Sequence, residues 1–280
     1  MKKKSVFRRF LPYLLLIAGA LVMVFPLIWM FFATFKTNNE IFSSTAMLPQ
    51  NWGMEAYVEG WKSTGQYTFA TYFANTFKLV LPTVFFTLLS SMLVAYGFAR
   101  FKFPFCKQLY GLMIATLFLP ASVIIIPRYL IYRDLQWLDS YMPFWAPAIL
   151  ACNPFFIFMM VQFLRGLPLD LDESARLDGC NSFQILVFII IPLLVPALIS
   201  AAIFQLMWTW NDFFNSLIYI SSVKHYPLSL ALRMGMDVSA VSNWNEILAM
   251  ALVSIIPLVV VFFCLQKYFV EGVATTGLKA

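Results

Sequence analysis

Charge is what this chain has least of. Only 11% of its 280 residues are Asp, Glu, Lys or Arg, against roughly 25% in an ordinary soluble domain. That scarcity excludes a water-soluble globular protein, as do an apolar share of 61% and a mean hydropathy of +0.80. Residues for metal chemistry are as scarce. His225 is the only histidine and has no Cys or second His beside it in the sequence, so a zinc-type site lacks its ligands. Cys106, Cys152, Cys180 and Cys264 lie far apart without CxxC spacing and read as free thiols, not as a disulfide framework. No G-x-x-x-x-G-K-[ST] occurs, so the chain does not cradle ATP phosphates by itself. The formal charge of +6 is not arranged as a basic stripe interleaved with aromatics on a polar surface, which argues against nucleic acid. No internal repeat or low-complexity segment is present.

What the chain does have is long apolar runs. Only helices and closed barrels satisfy their backbone inside lipid, and barrel strands alternate apolar with polar positions. These runs are continuous, so helices are expected. A span needs about 20 apolar residues to cross a core of about 30 Å. Six are predicted, at residues 11–33, 75–98, 109–127, 142–164, 183–207 and 247–268, giving an all-α polytopic membrane protein with one transmembrane domain over 1–280. The start, "MKKKSVFRRF", resembles the basic end of a signal peptide. The apolar run behind it exceeds the 7–15 residues of a signal core and no cleavage site closes it, so it reads as an uncleaved span. Residues 34–71 read as a loop with a short surface helix. Pro26, Pro82, Pro120, Pro154, Pro192, Pro196 and Pro257 fall inside or at the ends of spans, where neighbouring helices re-satisfy the freed backbone groups.

Six spans put both termini on one side. That side carries the five basic residues of the N-terminal tail, Arg100, Lys102, Lys107, Arg165, Arg176, Lys267 and Lys279, twelve of the nineteen Lys and Arg. By the positive-inside rule it is cytoplasmic.

The same side holds "DLDESARLDGC", residues 170–180, with four of the thirteen acidic residues. Pro168 suits a first helical turn. Asp170, Asp172 and Glu173 sit where carboxylates meet the positive end of a helix dipole, and Asp172 and Arg176 are spaced to pair across one turn. Gly179 suits a left-handed stop, and Asn181 with Gln184 suits the entry cap of the next helix. The reading is a helix of about ten residues, roughly 15 Å long, lying along the membrane surface. Physics alone leaves open whether it is a device or an ordinary charged loop.

These residues resemble the cytoplasmic loop of ABC importer permeases, which carries Glu-Ala-Ala, three residues, Gly, nine residues, then Ile-x-Leu-Pro. Here Glu173-Ser174-Ala175 precedes Gly179, and Ile189-Ile190-Ile191-Pro192 follows, with Ser174 and Ile191 as departures. "ESARLDGC" is similar to the "EAAxxDGA" of the carbohydrate-importer branch, with Asp178 matching and Cys180 replacing Ala. "LPLDLDESA", "IPLLVPAL", "WNDFF" at 210–214 and the tail "EGVATTGLKA", with Gly272, Gly277 and Lys279 matching, extend the likeness along the whole chain to the maltose-type second permease. The resemblance implies a type I ABC importer permease fold in a bacterial inner (cytoplasmic) membrane. Residues 169–179 would form the helix that couples to the ATPase, with Glu173 and Gly179 central and Ala175 and Asp178 supporting. Gly277 and Lys279 would mark a tail that also touches the ATPase. Implied partners are a homologous second permease, two ATP-binding subunits and an extracytoplasmic solute-binding protein, with surrounding membrane lipid and no nucleic acid. The resemblance further implies that the chain would bind no cofactor and do no covalent chemistry, with ATP and Mg acting through the partner ATPase.

The richest polar-aromatic cluster is "MWTWNDFFNSLIY", residues 207–219. Amides and a carboxylate beside aromatic faces are what a sugar needs. Trp208 and Trp210 also suit an interfacial aromatic belt, but Asn211, Asp212 and Asn215, with Trp210, are the four residues expected at a pathway or outer gate, because a carboxylate near lipid is costly unless it faces a pore or partner. The substrate expected is a sugar or oligosaccharide, with a phosphorylated polyol or other polar solute as the alternative. A secondary carrier or channel would need ionisable groups in mid-span, and Lys78 and Glu246 fall near span ends instead. A membrane-embedded enzyme would need a nucleophile–base pair.

Overall fold

The computed structural model describes residues 6–62, 67–236 and 243–277. All regular structure among them is helical. The order is α1 (Val6–Ala33), α2 (Asn38–Ser43), α3 (Glu55–Lys62), α4 (Phe69–Arg100), α5 (Cys106–Thr116), α6 (Ala121–Asp134), α7 (Met142–Ile149), α8 (Pro154–Gly166), α9 (Asp170–Leu177), α10 (Ser182–Ile185), α11 (Ile191–Trp210), α12 (Phe213–Tyr219), α13 (Leu228–Met234) and α14 (Trp244–Gly277). A π turn, Leu186–Ile190, joins α10 to α11. Pro192 has no N–H to bond the carbonyl four residues back, and the wider turn before it makes room, with the N–H of Ile191 reaching the carbonyl of Leu186.

Five segments are long and apolar enough to cross a membrane: Phe10–Ala33, Phe69–Arg100, Met142–Gly166, Ser182–Trp210 and Trp244–Lys267. The span expected at 109–127 is not one straight helix. α5 and α6 meet at 102°, because Pro120 breaks the run. It is extended, with ψ 135°, it cannot supply the helical donor to the carbonyl of Thr116, which takes the N–H of Leu119 at 3.2 Å instead, and it disfavours helix at the residue before it. The segment Met142–Gly166 is also interrupted, at residues 150–153, where Ala151 takes φ 56° and Pro154 restarts the helix at its first position. The second span begins at Phe69, earlier than expected, and α4 at 32 residues measures about 48 Å by the standard rise.

The chain divides into two compact units, residues 1–70 with 231–256 and residues 71–230 with 257–280. In the first, α1 presents an exposed apolar surface. Two short helices stand where one was expected. A capping box at Thr37 and Glu40 opens α2, and Glu40 also accepts the N–H of Gln50 at 3.1 Å. In the second unit the core draws on the end of α4 (Ala95, Tyr96), on α8 (Phe156, Met160, Val161, Leu164) and on the start of the α10–α11 rod (Ile185, Ile190, Leu194). Ala175 of α9 belongs to the same core, so that short helix is built into the bundle and is not a loose loop.

Candidate coupling helix and pathway cavity

Helix α9 is fixed at both ends by its own sequence. Asp170, Asp172 and Glu173 occupy the first turn and Arg176 the last, matching the helix dipole. At the C-terminus Gly179 takes φ 86°, the N–H of Gly179 reaches the carbonyl of Arg176 at 3.0 Å, and that of Cys180 reaches Ala175 at 2.9 Å. This is the paired closure of a Schellman motif. Two residues later Asn181 and Gln184 exchange hydrogen bonds of 2.8 and 2.9 Å in a capping box that starts α10. A stop and a start only a few residues apart make a defined elbow.

The faces of α9 divide cleanly. Ala175 and Asp172 are buried, while Glu173, Arg176 and Asp178 are exposed with Gly179. Leu177 is 90% exposed. The expected pairing of Asp172 with Arg176 is corrected. Asp172 lies 3.1 Å from Nε of Arg100 at the end of α4, with both side chains buried. The i, i+4 spacing made the local pair plausible, but Asp172 faces inward, so it meets the cation that α4 delivers. Neither Asp172 oxygen accepts a hydrogen bond among the described residues, so the contact is coulombic. A cavity of about 400 Å³ lies alongside, between Arg100–Lys102 and α9. Gly277 closes α14, and Lys279 lies outside the described residues.

A second cavity, of about 300 Å³, opens in the same unit beside the end of α11. Trp208, Phe155 and Phe156 form its aromatic side, with the Trp208 ring 5.0 and 5.3 Å from the two phenylalanines. Asp212, Asn215 and Arg128 line it as well. Asp212 caps α12 by accepting the N–H of Asn215 at 3.1 Å, and it also takes the Asn215 amide at 2.8 Å. Gln205 donates to Thr209 at 2.7 Å and Asn153 to Thr87 at 3.0 Å, which orients two amides in the wall. Of the four residues expected at a pathway, Asp212 and Asn215 reach this cavity and two do not. Trp210 is buried against Phe73 and Phe77, and Asn211 is exposed and donates to the carbonyl of Met207 at 2.8 Å. The correction is helical phase. Trp208 and Trp210 point about 200° apart on a helix of 3.6 residues per turn, so only one could face the cavity, and it is Trp208.

Beyond this cavity the loop at 137–141 is clamped to residues 219–225. The N–H of Asp139 donates to Tyr219 at 2.7 Å. Its carboxylate accepts the N–H groups of Ser221 and Ser222 at 3.1 and 2.7 Å and the Ser222 hydroxyl. His225 Nδ1 stands 3.7 Å away. Burial acts to raise the Asp139 pKa, but the Ser222 hydroxyl, the two N–H groups and His225 outweigh it and hold the carboxyl at about 2.

A family model, the binding-protein-dependent transport system inner membrane component, matches residues 91–275. The chain belongs to this family. Among curated relatives, the permease is 29% identical over 259 residues to the probable ABC transporter permease protein YurM of Bacillus subtilis (strain 168), covering 92% of this chain and 85% of that protein. It is 29% identical to the diacetylchitobiose uptake system permease protein DasC of Streptomyces coelicolor (strain ATCC BAA-471 / A3(2) / M145), covering 99% of each. A chain in the crystal structure of a bacterial ABC transporter involved in the import of the acidic polysaccharide alginate matches the permease with a TM-score of 0.83 at 25% identity, over 96% of this chain and 99% of that one. The match from residue 91 to 275 takes in α9, its elbow and every residue lining the cavity beside α11 except Thr83.

Proposed function

We propose that this permease is one of two membrane subunits of an ATP-driven ABC importer for a sugar or oligosaccharide. The observation that carries the reading is α9, a short helix embedded in the bundle core by Ala175 yet presenting Glu173, Asp178 and Leu177 outward. A helix held this way is a lever with an outward polar face, and an ATPase subunit fits it because the chain has no phosphate-binding loop of its own. Glu173 would engage the ATPase, Gly179 and Asp178 would hold the end of the lever, and Ala175 its root. The tail from Gly277 through Lys279 would make a second contact. α9 and both termini would then face the cytoplasm, with a solute-binding protein on the opposite side and a homologous permease completing the pathway.

The sugar assignment is supported by the relatives that take up diacetylchitobiose and arabinooligosaccharides. The cavity agrees in chemistry, since Trp208 offers a flat apolar face while Asp212, Asn215 and Gln205 offer hydrogen bonds. Purification of the tagged chain from its native membrane, with mass spectrometry of its companions, tests the reading. A second permease and a P-loop ATPase are expected. A chain recovered alone or as a homo-oligomer, with no ATPase, would overturn it. In the reconstituted complex Glu173→Ala should abolish uptake while leaving assembly of the two permeases intact.

A further inference from the structure

The backbone joins α9 to α8 on one side and to α10 on the other, so a push on α9 reaches those two helices through covalent connection. α4 has no such connection, yet its last turn grips α9 once and the chain on either side of it twice, at the end of α8 and the start of α10. Tyr96 and Arg100 are one helical turn apart and share a face. Arg100 Nη2 donates to the carbonyl of Leu167, before α9, at 3.2 Å. Its Nε lies 3.1 Å from Asp172, within α9, the two side chains being 3% and 7% exposed. Tyr96 donates from its hydroxyl to the carbonyl of Ser182, after α9, at 3.1 Å. A buried pair of this kind strands a charge if either partner is removed, so it resists sliding. We propose that Arg100, with Asp172 and Tyr96, is the positioning device that makes α4 and α9 one mechanical body. Movement of α9 is then delivered to α4 as directly as to α8 and α10. The inference rests on the importer reading above, since it needs an ATPase to push.

The test uses the complete complex in proteoliposomes, reading basal ATP hydrolysis, hydrolysis stimulated by the loaded binding protein, and sugar uptake. Arg100→Gln and Asp172→Asn should each keep basal hydrolysis and lower the stimulated component and uptake by about tenfold, within the usual range of coupling between sites. Tyr96→Phe should give a smaller loss. The exchanged pair, Arg100→Asp with Asp172→Arg, should recover much of the stimulation. A merely structural role would lower basal and stimulated rates together. If the single variants do not assemble, Arg100→Cys with Asp172→Cys, in a chain whose four native cysteines are replaced by serine, is joined with a short bifunctional thiol reagent. Uptake that survives joining supports one body, and uptake abolished by joining overturns it. Wild-type stimulation with unaltered ratios in Arg100→Gln and Asp172→Asn would also overturn it. A wild-type complex that shows no stimulation would instead refute the importer reading, and this inference with it.

Discussion

Gly179 is where a single methyl group should uncouple the lever. Its φ of 86° is a region where an L-residue pays roughly 1–2 kcal/mol. A Cβ placed there meets nothing within 4 Å, so crowding inside the chain adds nothing and the cost of Gly179→Ala is conformational alone, about 1 kcal/mol. That is enough to make the closed elbow about fivefold less populated relative to opened forms, since 1.4 kcal/mol is tenfold. Asn tolerates the left-handed region better than Ala, so Gly179→Asn should lose only a few tenths of a kcal/mol. Proline forces φ to about −65° and removes the N–H that reaches Arg176 at 3.0 Å, so Gly179→Pro should cost about 3 kcal/mol and break the elbow. The expected order of stimulated hydrolysis in the reconstituted complex is Gly, Asn, Ala, Pro. If Asn proves as damaging as Ala, or worse, backbone conformation is not the reason for glycine. The explanation would then be a partner surface that rejects any side chain.

Three further outcomes follow from the same geometry. The folded Asp139 carboxyl is depressed from 3.8 to about 2, so its contribution is complete above pH 4 and is lost as pH falls through 2. With the side chain a third exposed, that contribution is about 1–2 kcal/mol after screening, and thermal unfolding of the purified complex between pH 5 and 2.5 should show a steeper fall for wild type than for Asp139→Asn. Removing the Asn181 cap with Asn181→Ala should cost about 1 kcal/mol, seen as faster amide exchange confined to α10. Trp208→Ala should lower sugar uptake about tenfold, the equivalent of about 1.4 kcal/mol, with binding-protein-stimulated hydrolysis largely kept, whereas Trp210→Ala should instead lower the stability of the chain.

Much of the fold was legible in the sequence because lipid leaves few choices. Runs as apolar as 11–33 and 183–207 have only helices open to them, and their positions agree with Phe10–Ala33 and Ser182–Trp210. The run at 109–127 misled because hydropathy counts apolar residues without weighing where a proline falls. Pro192 is absorbed by a π turn inside a continuing rod, while Pro120 turns the chain through 102°. Both follow apolar residues, and what separates them is the neighbourhood. The π turn lies in a buried core with Ile185 and Ile190, where straightening is supported by packing. The residues around Pro120 are exposed in this chain, so nothing opposes the break.

The site shows the same division between local and long-range information. Caps are written in neighbouring residues, and the elbow at Gly179 and Asn181 formed where the spacing put it. Partners distant in the chain are not. Arg100 stands 72 positions before Asp172 in the numbering, and among the basic residues of "ARFKFPFCK" nothing in composition marks it from Lys102. What sets it apart is phase. It lies one turn beyond Tyr96, on the face of α4 that packs in the core, so its charge arrives where only a carboxylate could tolerate it. Asp172 likewise lies three residues before Ala175, on the buried face of α9. Helix phase, asked which charged residues share a face with the apolar ones that pack inward, selects both. In an apolar bundle a charge on the buried face costs several kcal/mol unless it is answered. The few charges found there are therefore the places where one element has committed itself to another, and in this permease that commitment joins α4 to the lever.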